Sequence, residues 1–165
     1  MIFLNSKKDE HIQAHKCFPA IYRAIAATVA SDTVKHSEAF IGKSNQDYCS
    51  WIQDPEKNHL ATTGFSSVVY MSSIYLCHSA IELSILADYY GSEIAAYDIQ
   101  TTRCDLYGQE KKYSERVMLI YDELHYDAVA ISAFEGAPVE FDQSSVPVRK
   151  DRTIGPAEEL AFETC

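Results

Sequence analysis

No Cys-x-x-Cys pair occurs anywhere in this chain. Its five cysteines, Cys17, Cys49, Cys77, Cys104 and Cys165, are odd in number and widely, irregularly spaced. That pattern supports neither a zinc site nor a disulfide framework, and reduced thiols in a cytoplasmic compartment fit it best. Basic residues are also few: 14 Lys and Arg stand against 24 Asp and Glu, a net charge of −10. A nucleic-acid partner is excluded on that ground, because a phosphate backbone requires clustered positive charge. The opening "MIFLNSKKDEHIQ" meets charge too soon to read as a signal peptide.

What is present is the composition of one globular domain. The chain has 165 residues, 47% of them apolar and 23% charged, enough to bury a core. "PAIYRAIAATVASD" places Ile21, Ile25 and Val29 at helical spacing behind Pro19, predicting a helix over 19–31. "SNQDYCSWIQD" predicts a second over 44–53, with an N-cap candidate at Ser44 or Asn45. "AIELSILADYYG" predicts a third over 80–90, stopped by Gly91. Strands are expected at 93–99, 116–122 and 124–131, the last two forming a hairpin across Asp122-Glu123. Residues 1–18 read as a variable leader. Residues 132–165 read as an extended or partly disordered tail with room for a short helix at 156–163. Asn58–Ser79 contains no Lys, Arg, Asp or Glu, yet its Ser and Thr content argues against a membrane span. It reads as a β-prone insertion.

The stretches "VASD", "EAFIGKSNQDYCSWI", "AIELSILADYYGSEIAAYDIQTTRCDLYGQ" and "YSERVMLIYDELHYDAV" closely resemble the ovarian-tumour (OTU) family of cysteine deubiquitinases. The nearest branch is the one associated with the segregase ATPase and endoplasmic-reticulum-associated degradation. The resemblance runs from about Pro19 to Ala130, and the OTU-like domain is expected over 19–131, interrupted at 58–79. It implies an α/β (α+β) fold, a small twisted sheet flanked by helices of the papain type, incomplete at the N-terminus. It also implies hydrolysis of ubiquitin isopeptide bonds by a Cys–His mechanism, ubiquitin or ubiquitinated proteins as partner, no cofactor and no metal, and a cytoplasmic location.

His125 matches the family's general base, and an imidazole that titrates near neutrality suits that role. Asp127 is a candidate to orient the ring, and reads equally as a solvated strand residue. By the same resemblance Tyr121, Asp122, Glu123 and Leu124, with Arg103, Asp105 and Tyr107 in a variable loop over 103–113, would contact ubiquitin. Ordinary surface turns are the competing account.

The family's Asp-x-x-Cys nucleophile loop is absent. Counting back from "VASD", Cys17 falls before the family's second helix rather than on that loop. A helix N-terminus and Lys16 would lower its pKa but would not build an oxyanion hole, so Cys17 is a weak candidate. A non-catalytic ubiquitin-binding pseudoenzyme and a truncated product are therefore the alternatives to an active enzyme. Asn58–Ser79 stands where the family has Trp-Gly-Gly and looks like translated non-coding sequence. Glu123 stands where the family's hairpin has glycine. The branch's ubiquitin-like module is not found in the sequence either, which counts against segregase binding.

Overall fold

The computed structural model describes residues 18–54, 80–121, 126–134 and 137–164. Its sheet is built on a parallel pair, β1 (Glu93–Asp98) and β3 (Glu115–Tyr121). β2 (Arg103–Tyr107) lies antiparallel on the outer edge of β1. The other edge of β3 is shared end to end by β4 (Tyr126–Val129), opposite its second half, and β5 (Ser145–Pro147), opposite its start.

Alternation along the strands divides the interior into two cores. Ile94 and Ala96 of β1 and Leu119 of β3 face one way, onto helices α1 (Phe18–Ser31), α3 (Asn45–Ile52) and α4 (Ala80–Tyr90). Ile21, Ile25, Ala26 and Val29 supply the stripe of α1, at the spacing that puts side chains on one helix face. α3 begins at Ser44, whose hydroxyl accepts from the Asp47 amide at 3.1 Å. α4 ends at Gly91, left-handed at φ 66°, and the Ser92 amide closes the turn on the Ala87 carbonyl. A four-residue helix, α2 (Glu38–Ile41), links α1 to α3.

Ala95, Tyr97, Met118, Ile120 and Val129 face the other way. What covers them is the segment beyond residue 131: Val146 of β5, then Ile154, then Ala157 and Ala161 of α5 (Pro156–Thr164). A buried ion cluster fastens this layer. Arg116 bonds Glu93 and the Arg152 carbonyl, Arg152 pairs with Glu93, and Arg116 Nη1 stands 3.8 Å from Glu158.

The expected α/β class holds: a small twisted sheet is flanked by helices on both faces. α1, α3 and α4 fall on the helices read from periodicity. Two readings need correction. The segment after 131 is a packed layer rather than an extended or partly disordered tail, because its apolar residues, though aperiodic, are those that complete the second core. The expected variable loop begins with a strand, β2, and continues into a 3-10 turn at Gln109–Lys111. Tyr121 stands opposite Tyr126 at the end of the described ladder, and the connection expected at Asp122-Glu123 lies outside the described residues. The stretch 58–79 lies outside the described residues. Among those described, no helix is long and apolar enough to cross a membrane.

Candidate functional site at the carboxyl ends of β1 and β3

In open α/β sheets ligands gather outside the carboxyl ends of parallel strands, where loops diverge and backbone groups are left to bond. Here that edge is marked by the turn after β1 and by Tyr121, the last residue of β3. The register joins them: Asp98 pairs with Tyr121 across the parallel ladder and with Arg103 across the antiparallel one. Asp105 lies two residues along β2, opposite Ala96. Because Ala96 and Leu119 face the α1/α3/α4 layer, alternation sets Asp98, Arg103, Asp105, Tyr121 and Tyr126 on that same face.

The turn after β1 is organised by one carboxylate. Asp98 Oδ1 accepts from the Gln100 amide at 2.8 Å and the Thr101 amide at 3.1 Å, and Thr102 completes the reversal in the left-handed region at φ 54°. The Thr101 and Gln100 amides hold the Asp98 carboxyl below its ordinary range, with a smaller contribution from Arg103. The Ile99 amide then donates to the Tyr121 carbonyl at 3.1 Å, tying this turn to the last residue of β3. Tyr121 and Tyr126 stack across the hairpin, centroids 4.5 Å apart and planes 24° from parallel. Such a cross-strand aromatic pair stiffens the base of a hairpin. Arg103 and Asp105 bond each other at 2.8 Å, and that bond raises the Arg103 pKa. The pair is exposed and contributes little to stability.

Of the residues singled out from the sequence, Tyr121, Arg103 and Asp105 come together at this edge. Tyr107 does not: it sits at the far end of β2, about 13 Å along the strand, and packs half-buried against the helix-side core. Asp127 lies in β4 with its backbone opposite Ile120. Cys17, His125, Asp122, Glu123 and Leu124 lie outside the described residues. Two participants were not singled out, Asp98 and Tyr126. An Asp followed closely by Gln-Thr-Thr is a turn signal, and Tyr126 adjoins the histidine in "HYD".

The two described free cysteines have the surroundings of inert thiols. Cys49, half-buried in α3, donates to the Ala26 carbonyl at 3.4 Å, and burial pushes its pKa up. Burial also raises Cys104, outweighing the lowering from its bond with Tyr97 and from Arg116. Neither is the electropositive, exposed thiol that nucleophilic catalysis requires.

No protein-family model matches the chain. Individual proteins do. It is 56% identical over 144 residues to an ovarian tumor domain-containing deubiquitinating enzyme 2 from Arabidopsis thaliana, covering 87% of this chain and 60% of that protein. The chain belongs to the ovarian-tumour domain family. Ubiquitin thioesterase OTU1 of Dictyostelium discoideum is 43% identical over 72% of this OTU chain, which spans 30% of that protein. The Homo sapiens OTU1 is 42% identical over 67% of the chain and is spanned to 26%. The chain therefore covers less than two thirds of the length of each of these OTU relatives. A solved OTU domain in complex with ubiquitin shares the fold at a TM-score of 0.61 and 18% identity, covering 99% of this chain and 87% of that one.

Proposed function

We propose that this OTU chain acts on ubiquitin at the carboxyl-end edge of β1 and β3, hydrolysing ubiquitin isopeptide bonds with His125 as general base. The observation that carries the reading is the Tyr121–Tyr126 stack, whose two residues flank residues 122–125 in the chain, the segment that contains His125. The relatives named above as a deubiquitinating enzyme and as ubiquitin thioesterases support it, as does the solved OTU domain in complex with ubiquitin. A strand end is a rigid mount for a catalytic side chain.

In this reaction a cysteine sulfur, its proton taken by the imidazole, attacks the isopeptide carbonyl. The imidazolium returns the proton to the departing lysine amine. Water, deprotonated by the same histidine, then attacks the thioester carbonyl, and the sulfur leaves. Asp127 is the candidate to orient the ring. Arg103 and Asp105 would meet ubiquitin beside Tyr121, Asp122, Glu123 and Leu124. Free, reduced Cys49 and Cys104 fit a cytoplasmic location.

A second reading, a ubiquitin-binding protein without catalysis, is favoured by one specific observation. Burial raises both described thiols, which leaves Cys17, a weak candidate on the sequence alone. Incubation with ubiquitin bearing a C-terminal thiol-reactive group, followed by intact mass, separates the two. A gain of one ubiquitin that disappears in Cys17→Ala establishes the enzyme. Binding of ubiquitin without an adduct establishes the second reading, and neither binding nor adduct overturns both.

A further inference from the structure

We infer that Asp98 is a positioning residue, holding both halves of the ubiquitin-facing edge in register through the turn it caps. The inference rests on the proposed function and deepens it. Asp98 bonds the amides of Gln100 and Thr101. Those bonds fix the reversal that delivers the chain to Arg103 and Asp105 on β2. The same turn presents the Ile99 amide to the Tyr121 carbonyl. Tyr121 in turn stacks on Tyr126. One carboxylate oxygen therefore sets the separation between the Arg103–Asp105 pair and Tyr121, the last residue of β3.

The reversal does not hold itself. Thr102 is a β-branched residue at positive φ, a conformation adopted only when the surroundings impose it. Asp98 is half-buried at the sheet's end, and its place is in the turn rather than in either core. Losing the cap therefore loosens the edge and leaves the packed interior intact. Its role depends on where the oxygen lies and not on the charge, which separates positioning from a direct ionic contact with a partner.

The test measures ubiquitin binding by the full chain, with thermal unfolding as the control for folding. Asp98→Asn retains an oxygen that accepts both amides and is expected to bind ubiquitin within about twofold of the parent. Asp98→Glu keeps the charge but carries the oxygen one methylene too far, and Asp98→Ala removes it. Both are expected to weaken binding by about tenfold, the scale of a lost interface anchor, with the unfolding transition retained. Parent-like binding by Asp98→Ala overturns the inference. So does weak binding by Asp98→Asn with normal binding by Asp98→Glu, which would make Asp98 a direct charge contact. A parent chain that folds but binds no ubiquitin overturns the proposed function itself.

Discussion

Arg116 donates two hydrogen bonds to one carboxylate oxygen of Glu93, from Nε at 3.0 Å and from Nη2 at 2.9 Å, and the Glu93 side chain is wholly buried. Glu93 opens β1, Arg116 is the second residue of β3, and the two stand opposite each other in the parallel register. Arg152 adds a second guanidinium to Glu93. Removing Arg116 strips the buried Glu93 carboxylate of two hydrogen bonds and leaves it with the partly exposed Arg152 alone, which is worse than removing both charges. Arg116→Met should therefore destabilise the fold by about 3–5 kcal/mol in urea unfolding. The double variant with Glu93→Met should recover much of that loss. If Arg116→Met unfolds at the parent's midpoint, the ion pair contributes nothing.

The layer after residue 131 gives a second prediction. Ala161 is fully buried between α5 and the sheet. Ala161→Asp places a carboxylate there without a designed partner, and should cost about 3 kcal/mol or more. A loose tail would tolerate the change. Thermal unfolding that does not move would mean that α5 is not docked.

Thiol chemistry gives a third. With both pKa values pushed up by burial, Cys49 and Cys104 should alkylate more slowly at neutral pH than they do in the urea-unfolded chain. Peptide mapping after timed iodoacetamide treatment reads each site. Faster labelling of either one in the folded protein would mark it as a nucleophile candidate and undo its assignment as inert.

His36 gives a pH prediction. It is buried in the turn after α1, and its pKa is lowered from 6.5, first by desolvation and then by Lys35, against an opposing pull from Asp32. The folded state thus prefers the neutral ring, and the unfolded chain binds the proton more readily. The stability His36 contributes is present in full above about pH 6.5 and is lost as pH falls through the lower folded value. His36→Gln should flatten the stability profile across that window. An unchanged slope would assign the acid loss to other groups.

The Tyr121–Tyr126 stack can be weighed by substitution. Tyr126→Phe keeps the ring and Tyr126→Leu removes it. The leucine variant should be less stable than the phenylalanine variant by about 1 kcal/mol, the usual worth of an aromatic pair beyond its buried area. Equal stabilities would show that the stack is incidental.

The sequence by itself determined the local elements and the family. Ile21, Ile25 and Val29 recur at helical spacing, Ser44 caps α3 and Gly91 ends α4, so these helices are written in nearest-neighbour chemistry. Four stretches in order, from "VASD" to "YSERVMLIYDELHYDAV", carried the resemblance to the OTU family. Only the tertiary structure decided which residues share an edge and what closes the second face. Asp98, Arg103 and Tyr121 meet through strand register, and register depends on pairing partners far apart in the chain. The layer after residue 131 was illegible for a related reason: Val146, Ile154, Ala157 and Ala161 follow no single period. Their burial comes from the sheet they cover and from Arg152 reaching Glu93, nearly sixty residues before it. Long-range pairing of that kind leaves no local trace, because neither partner's own neighbours need it.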